Sequence, residues 1–90
     1  MAKKIAVLVR DRQDEALRMS LGITLLEDTI DVYVLDRPVV ESEQNMTNIG
    51  TMKEMGIGLY TNFVGNGSLE YVSTRDIARR LAGYDHILPY

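Results

Sequence analysis

Cysteine is absent from this 90-residue chain. Disulfides, thiolate nucleophiles and Cys-ligated metals are therefore excluded. Histidine occurs once, at His86. With no nucleophile near it in the sequence, a structural role fits it better than proton shuttling. Glycine is missing from Arg10-Asp11-Arg12-Gln13-Asp14, the segment where a phosphate-binding loop would join a first strand to a first helix. Neither a dinucleotide fingerprint nor a P-loop is present, and no cofactor is expected. A phospho-acceptor receiver would need paired acids after its first strand and an Asp after its third, and only Asp11 qualifies. Charge of one sign is not concentrated anywhere: the formal net charge is −3 with both signs interspersed. No basic stripe offers itself to nucleic acid. Long apolar runs are lacking too. Ile5-Ala6-Val7-Leu8-Val9 is too short for a signal-peptide core with its cleavage site, and far too short to span a bilayer. A cytoplasmic location without a membrane partner is the expectation. Two glycosylation-type tripeptides, Asn45-Met46-Thr47 and Asn66-Gly67-Ser68, then read as chance.

What is present describes one globular domain over residues 1–90. The apolar fraction of 46% is ordinary for a folded chain. A domain this small buries a modest share of its surface and has no internal staple, a situation often relieved by self-assembly. The run at 5–9 marks a strand buried on both faces. A helix follows to about residue 27, capped by Asp11 or Asp14, with Glu15 in its first turn. Residues 30–35 form a second strand, and Asp31 with Tyr33 on one side point to a sheet edge. Residues 42–55 form a helix of weak propensity, ended by Gly56. Its methionines, Met46, Met52 and Met55, are read as core filling ahead of a ligand groove. A glycine-led strand at 57–61, a turn at 65–67 and a short extended piece at 69–72 come next. Ser73 and Asp76 resemble a capping box for a helix that ends at Gly83. Residues 85–90 close the chain as a strand.

This β-α-β-α-β-α-β pattern predicts an α/β three-layer sandwich with a mainly parallel four-stranded sheet, flavodoxin-like in class. Right-handed crossovers around a central first strand favour the order 2-1-3-4. In that order the first helix covers one face and the other two the opposite face, leaving strands three and four bare on one side. Ligands of open α/β sheets bind at carboxyl ends of strands where the order reverses, here between strands one and three. Arg10, Arg12, Arg37, Thr61 and Asn62 are the candidate ligand-binding residues on that argument. Arginines beside a helix N-terminus suit an anion. The competing reading pairs them with Asp11, Asp14 and Asp36 as a solvated rim.

The stretch Met52-Lys53-Glu54-Met55-Gly56-Ile57-Gly58-Leu59-Tyr60-Thr61-Asn62, then Ile77-Ala78-Arg79-Arg80-Leu81 and Tyr84-Asp85-His86-Ile87-Leu88, resembles the DsrE/DsrF-like family. Lys4 to Val9 and the helix after it fit as well, so the resemblance spans the chain. It implies a DsrE-like α/β sandwich that forms oligomers, from dimers to hexamers. Several members pass sulfur as a cysteine persulfide from a cysteine after strand three. Here that place falls at Thr61 or Asn62, neither of which can hold a persulfide.

The function expected is that of a non-catalytic oligomeric protein, a small-anion binding module or a subunit related to sulfur-relay proteins. The alternative is a small enzyme acting on an anionic molecule through Arg10, Arg12, Asp11 and Asn62. Self-association is expected through the first helix. There Leu17, Leu21 and Leu25 form one apolar stripe, and Ala16, Met19, Ile23 and Leu26 an opposed one.

Overall fold

A computed structural model describes residues 3–23 and 29–90. The described residues form a parallel sheet of five strands in the order β4-β3-β2-β1-β5, with three helices. In chain order these are β1 (Lys4–Val9), α1 (Gln13–Ile23), β2 (Thr29–Val34), α2 (Glu43–Glu54), β3 (Gly58–Thr61), β4 (Glu70–Tyr71), α3 (Thr74–Leu81) and β5 (His86–Pro89). The α/β class and the parallel sheet agree with the sequence reading; the strand number and order do not. The piece at 69–72 is a true edge strand, β4, beside β3. The last strand pairs with β1, and β3 pairs with β2.

Burial explains the β1 sequence. Ile5, Val7 and Val9 face one core cluster while Ala6 and Leu8 face the other, so after the exposed Lys4 no position is left for a polar residue. The chain steps from β1 through β2, β3 and β4 in one direction, which puts α1 and α2 on the same face. Ala16 and Leu17 of α1 share a core there with Ile49 and Met52 of α2. Strand three is thereby covered, since Ile57 and Leu59 belong to the same cluster. The chain returns to the free edge of β1, and α3 lies alone on the opposite face through Ile77 and Leu81.

The edge reading of the second strand is corrected: β2 is the central strand, and Tyr33 is fully buried. Its polar groups need no solvent because they are satisfied from within. The Tyr84 hydroxyl donates to Asp31 Oδ2 at 2.5 Å and lies 2.7 Å from the Tyr33 hydroxyl. A phenol has one proton, so Tyr33 must be the donor to Tyr84. Burial, followed by the hydrogen bond to Asp31, pushes the Tyr84 hydroxyl well above its ordinary pKa. Tyr33 also stacks on Tyr60 with centroids 5.1 Å apart.

Local signals decide the helix ends. Ser42 accepts the Asn45 amide as N-cap of α2. At its other end Gly56, with φ 79°, lets the amides of Gly56 and Ile57 bond to Lys53 and Met52 carbonyls in a Schellman closure. Ser73 likewise caps α3 by accepting the Asp76 amide. Only Met52 of the α2 methionines fills the core; Met46 and Met55 are exposed. Asp11 pairs with Arg37, and the Arg12 carbonyl accepts the Ala16 amide in the first turn of α1. The buried face of α1 carries Gln13, Ala16, Leu17 and Ser20 and so runs between the two expected stripes. Leu25, Leu26 and the side chains of Leu21 and Ile23 lie outside the described residues, as does the predicted helix end near residue 27. Among the described residues no helix is long and apolar enough to cross a membrane.

The crowded floor beneath the tyrosines can be tested. A Cβ on Gly58 would overlap Asp31 Oδ1 and come within 2.7 Å of Tyr60 Cε2. Both neighbours are held, one by Tyr84 and the other by its stack on Tyr33. Gly58→Ala should therefore lose about 1–3 kcal/mol in urea unfolding. Gly67→Ala, whose Cβ would meet nothing within 4 Å, should change stability by less than about 0.5 kcal/mol.

Candidate functional site

The strand order moves the reversal point. β2 lies between β1 and β3, so the crevice expected between those two strands does not exist; the order reverses between β1 and β5. That new crevice is filled by the chain itself. The Arg12 amide bonds to the Tyr90 carbonyl at 3.4 Å, and the Arg12 guanidinium lies over the Tyr90 ring at 5.5 Å. A wide hollow of about 390 Å³ beside it, lined by Arg12, Glu15, Arg18, Met19 and Tyr90, is open and shallow. Another, of about 290 Å³, is lined by residues 11–15 with Val40 and carries three acidic side chains and one basic one.

The more enclosed cleft lies at the carboxyl ends of β1, β2 and β3, under the first turns of α3. Its volume is about 160 Å³, and its lip is made of Arg10, Asp36, Asn62 and Thr74. Its floor is apolar: Leu8, Leu35, Ile77, Ala78 and Leu81. Asn62 organises the lip. Its carboxamide oxygen accepts the Asp36 amide at 2.6 Å, and its nitrogen donates to Asp36 Oδ1 and Thr74 Oγ1, each at 3.0 Å. Asp36 has φ 65°, a left-handed conformation that Asp and Asn tolerate better than other side-chain-bearing residues. That turn aims its carboxylate at both Asn62 and Arg10, whose Nε is 3.4 Å from Oδ2. The Asn62 hydrogen bond, then the hydrogen bond and charge of Arg10, hold the Asp36 carboxyl below its ordinary value of 3.8.

The five predicted ligand residues are thus divided. Arg10 and Asn62 share the cleft. Arg37 pairs with Asp11 on the solvated surface, as the rim reading describes, and Arg12 pairs there with Glu15 in place of the expected aspartates. Thr61 is fully buried; its hydroxyl donates to the Val34 carbonyl at 2.8 Å and accepts from the Phe63 amide and Asn66 Nδ2, each at 3.0 Å. It is a framework residue and faces no cleft. Asn66 completes that frame, accepting the Val39 amide at 2.9 Å and donating to the Arg37 carbonyl at 3.0 Å. Asp36 and Thr74 are the lip residues that the sequence reading missed. An Asp directly after a strand and before Arg-Pro is a turn signal, and the hydroxyl pair Ser73-Thr74 at a helix start supplies one cap and one spare hydroxyl.

His86 is exposed at the start of β5, with Nε2 3.4 Å from Lys3 Nζ, far in the fold from this cleft. Among the described residues no group of three or more His, Cys, Asp or Glu is arranged to hold a metal ion. The alternative catalytic set of Arg10, Arg12, Asp11 and Asn62 is not gathered in one place, because Asp11 and Arg12 line other hollows. Comparison with known proteins finds no matching family model, no matching curated protein and no matching solved structure.

The sign of the Asp36 contribution follows from its lowered pKa. The ionised carboxylate stabilises the folded chain fully above the ordinary value of 3.8 and loses that effect as pH falls through the lower folded value. Asp36→Asn keeps the left-handed tolerance but not the charge. Urea unfolding should therefore find the wild type more stable than Asp36→Asn at pH 7, with the gap closing as the pH drops below 3.8.

Proposed function

We propose that this chain is a non-catalytic ligand-binding module, one copy of a homo-oligomer, whose cleft holds the anionic group of a small molecule at Arg10, beside the lip that Asn62 organises. The observation that carries the reading is the cleft's composition, a polar lip over an apolar floor, with no Cys, His or Lys among its lining residues to activate the Thr74 hydroxyl. Its Arg10–Asp36 contact is exposed and long for a charged pair, so an incoming anion can compete with Asp36 for Arg10 and bind weakly. The size of the cleft disfavours nucleotides and drug-sized ligands, which fill clefts of about 300 Å³ or more.

The resemblance to the DsrE/DsrF-like family supports the oligomeric and non-catalytic parts of this proposal. A member without the active cysteine would serve as a partner or sensor in a sulfur relay and carry no sulfur itself. The small unstapled domain and an edge strand with exposed His86, Ile87 and Pro89 favour assembly as well.

Three measurements test the proposal. Millimolar phosphate should raise the melting temperature of the wild type, since ligand at ten times Kd stabilises by about 1.4 kcal/mol, a shift of several degrees. Arg10→Ala should abolish the rise, and an equal rise in the variant would reduce the effect to general salting. Incubation with a persulfide donor should leave the intact mass unchanged; a stoichiometric gain of sulfur would overturn the non-carrier role. Sedimentation equilibrium at micromolar concentration should show a species of at least twice 10.2 kDa, and a monomer throughout would remove the oligomer.

A further inference from the structure

The lip of the cleft carries one charge of each sign, and that pattern limits what can sit there. Arg10 and Asp36 face each other across it at 3.4 Å, while Leu8, Leu35, Ile77, Ala78 and Leu81 form the floor. We infer that the ligand is a small zwitterion with an apolar body, the chemistry of an aliphatic α-amino acid such as leucine, a step that rests on the ligand-binding reading of this cleft.

Binding at this lip is a matched exchange of charge contacts. A carboxylate arriving at Arg10 draws the guanidinium from Asp36 and leaves that carboxylate beside a second negative charge. Asp36 is ionised at pH 7, because the Asn62 hydrogen bond holds its carboxyl below the ordinary value of 3.8. A simple anion therefore gains one ion pair and loses another, with like charges added at close range. A simple cation at Asp36 strands Arg10 in the same way. A ligand with both groups replaces the Arg10–Asp36 contact by two contacts, carboxylate to Arg10 and ammonium to Asp36, and no charge is left unmatched.

Volume selects the rest of the molecule. About 160 Å³ is available, close to the roughly 150 Å³ cavity that accommodates benzene in an apolar protein interior. A four-carbon aliphatic side chain fits that floor, whereas glycine would leave it wet. Asn62 and Thr74 fix the lip without competing, because their hydrogen bonds to Asp36 and to each other leave both charged groups directed at the opening.

Amide chemical shifts of the full chain, titrated separately with four probes, test the assignment. The probes are L-leucine, 4-methylpentanoate (no ammonium), 3-methylbutylamine (no carboxylate) and glycine (no apolar body). L-Leucine should saturate shifts at Asp36, Asn62, Thr74 and Ile77, and each of the other three should bind about tenfold more weakly or worse. Arg10→Ala should bring leucine down to the affinity of 3-methylbutylamine. Asp36→Asn, which keeps the turn, should bring it down to that of 4-methylpentanoate. Equal binding of leucine and 4-methylpentanoate by the wild type, with phosphate still raising its melting temperature, would overturn the zwitterion and leave the anion site standing. Leucine shifts confined to another part of the chain would also overturn it. Silence from leucine and phosphate alike would remove both readings.

Discussion

The Asn62 carboxamide makes three hydrogen bonds, one from the Asp36 amide and two to Asp36 Oδ1 and Thr74 Oγ1. Those partners lie at the end of β2 and the first residue of α3, while Asn62 itself follows β3. Three separate elements are therefore tied through one side chain that uses both of its donors and its acceptor. That tie fixes Thr74 to the strand ends and closes the lip over the apolar floor. The rest of the cleft depends on it: the left-handed turn at Asp36, the direction of its carboxylate and the contact with Arg10.

A second constraint lies below the cleft on the same face of the sheet. The central strand β2 carries Asp31 and Tyr33 inward, an arrangement that would cost several kcal/mol if either were unpaired. The Tyr84 hydroxyl satisfies both, and the Tyr33–Tyr60 stack fills the space that Gly58 leaves by having no side chain. α3 can be short, with Ile77 as its one buried residue among those described, because aromatic rings from the sheet supply much of the layer it rests on. Polar and apolar layers thus follow each other along this face, from the tyrosines at its lower part to the cleft at the carboxyl edge.

The features legible in the sequence are those that short-range physics decides. β1 announces itself by five consecutive apolar residues, and the caps at Ser42, Gly56 and Ser73 stand where hydroxyl and glycine chemistry require. Arg10 and Asn62 were found because they follow strands. Strand order was not legible, since it depends on which edge of β1 accepts the last strand, a pairing between residues some 80 positions apart. Asp31 and Tyr33 mislead because their polarity resembles that of an exposed edge, while their partner, Tyr84, lies far along the chain. Thr61 misled for a simpler reason. It shares a face with Leu59, so two-residue alternation already placed it in the core once Leu59 was assigned there. The second half of each stripe on the first helix lies outside the described residues.

Amide hydrogen exchange in Asn62→Ala tests the central claim, that one carboxamide holds β2, β3 and α3 together around the cleft. The account predicts that the Asp36 amide, protected in the wild type by Asn62 Oδ1, exchanges faster in the variant, and that amides in the first turn of α3 lose protection with it. β1 and β2 interior amides should keep theirs, because their ladder does not involve Asn62. Unchanged protection at Asp36 and α3 would contradict the account, since the cleft would then be held by something other than this side chain.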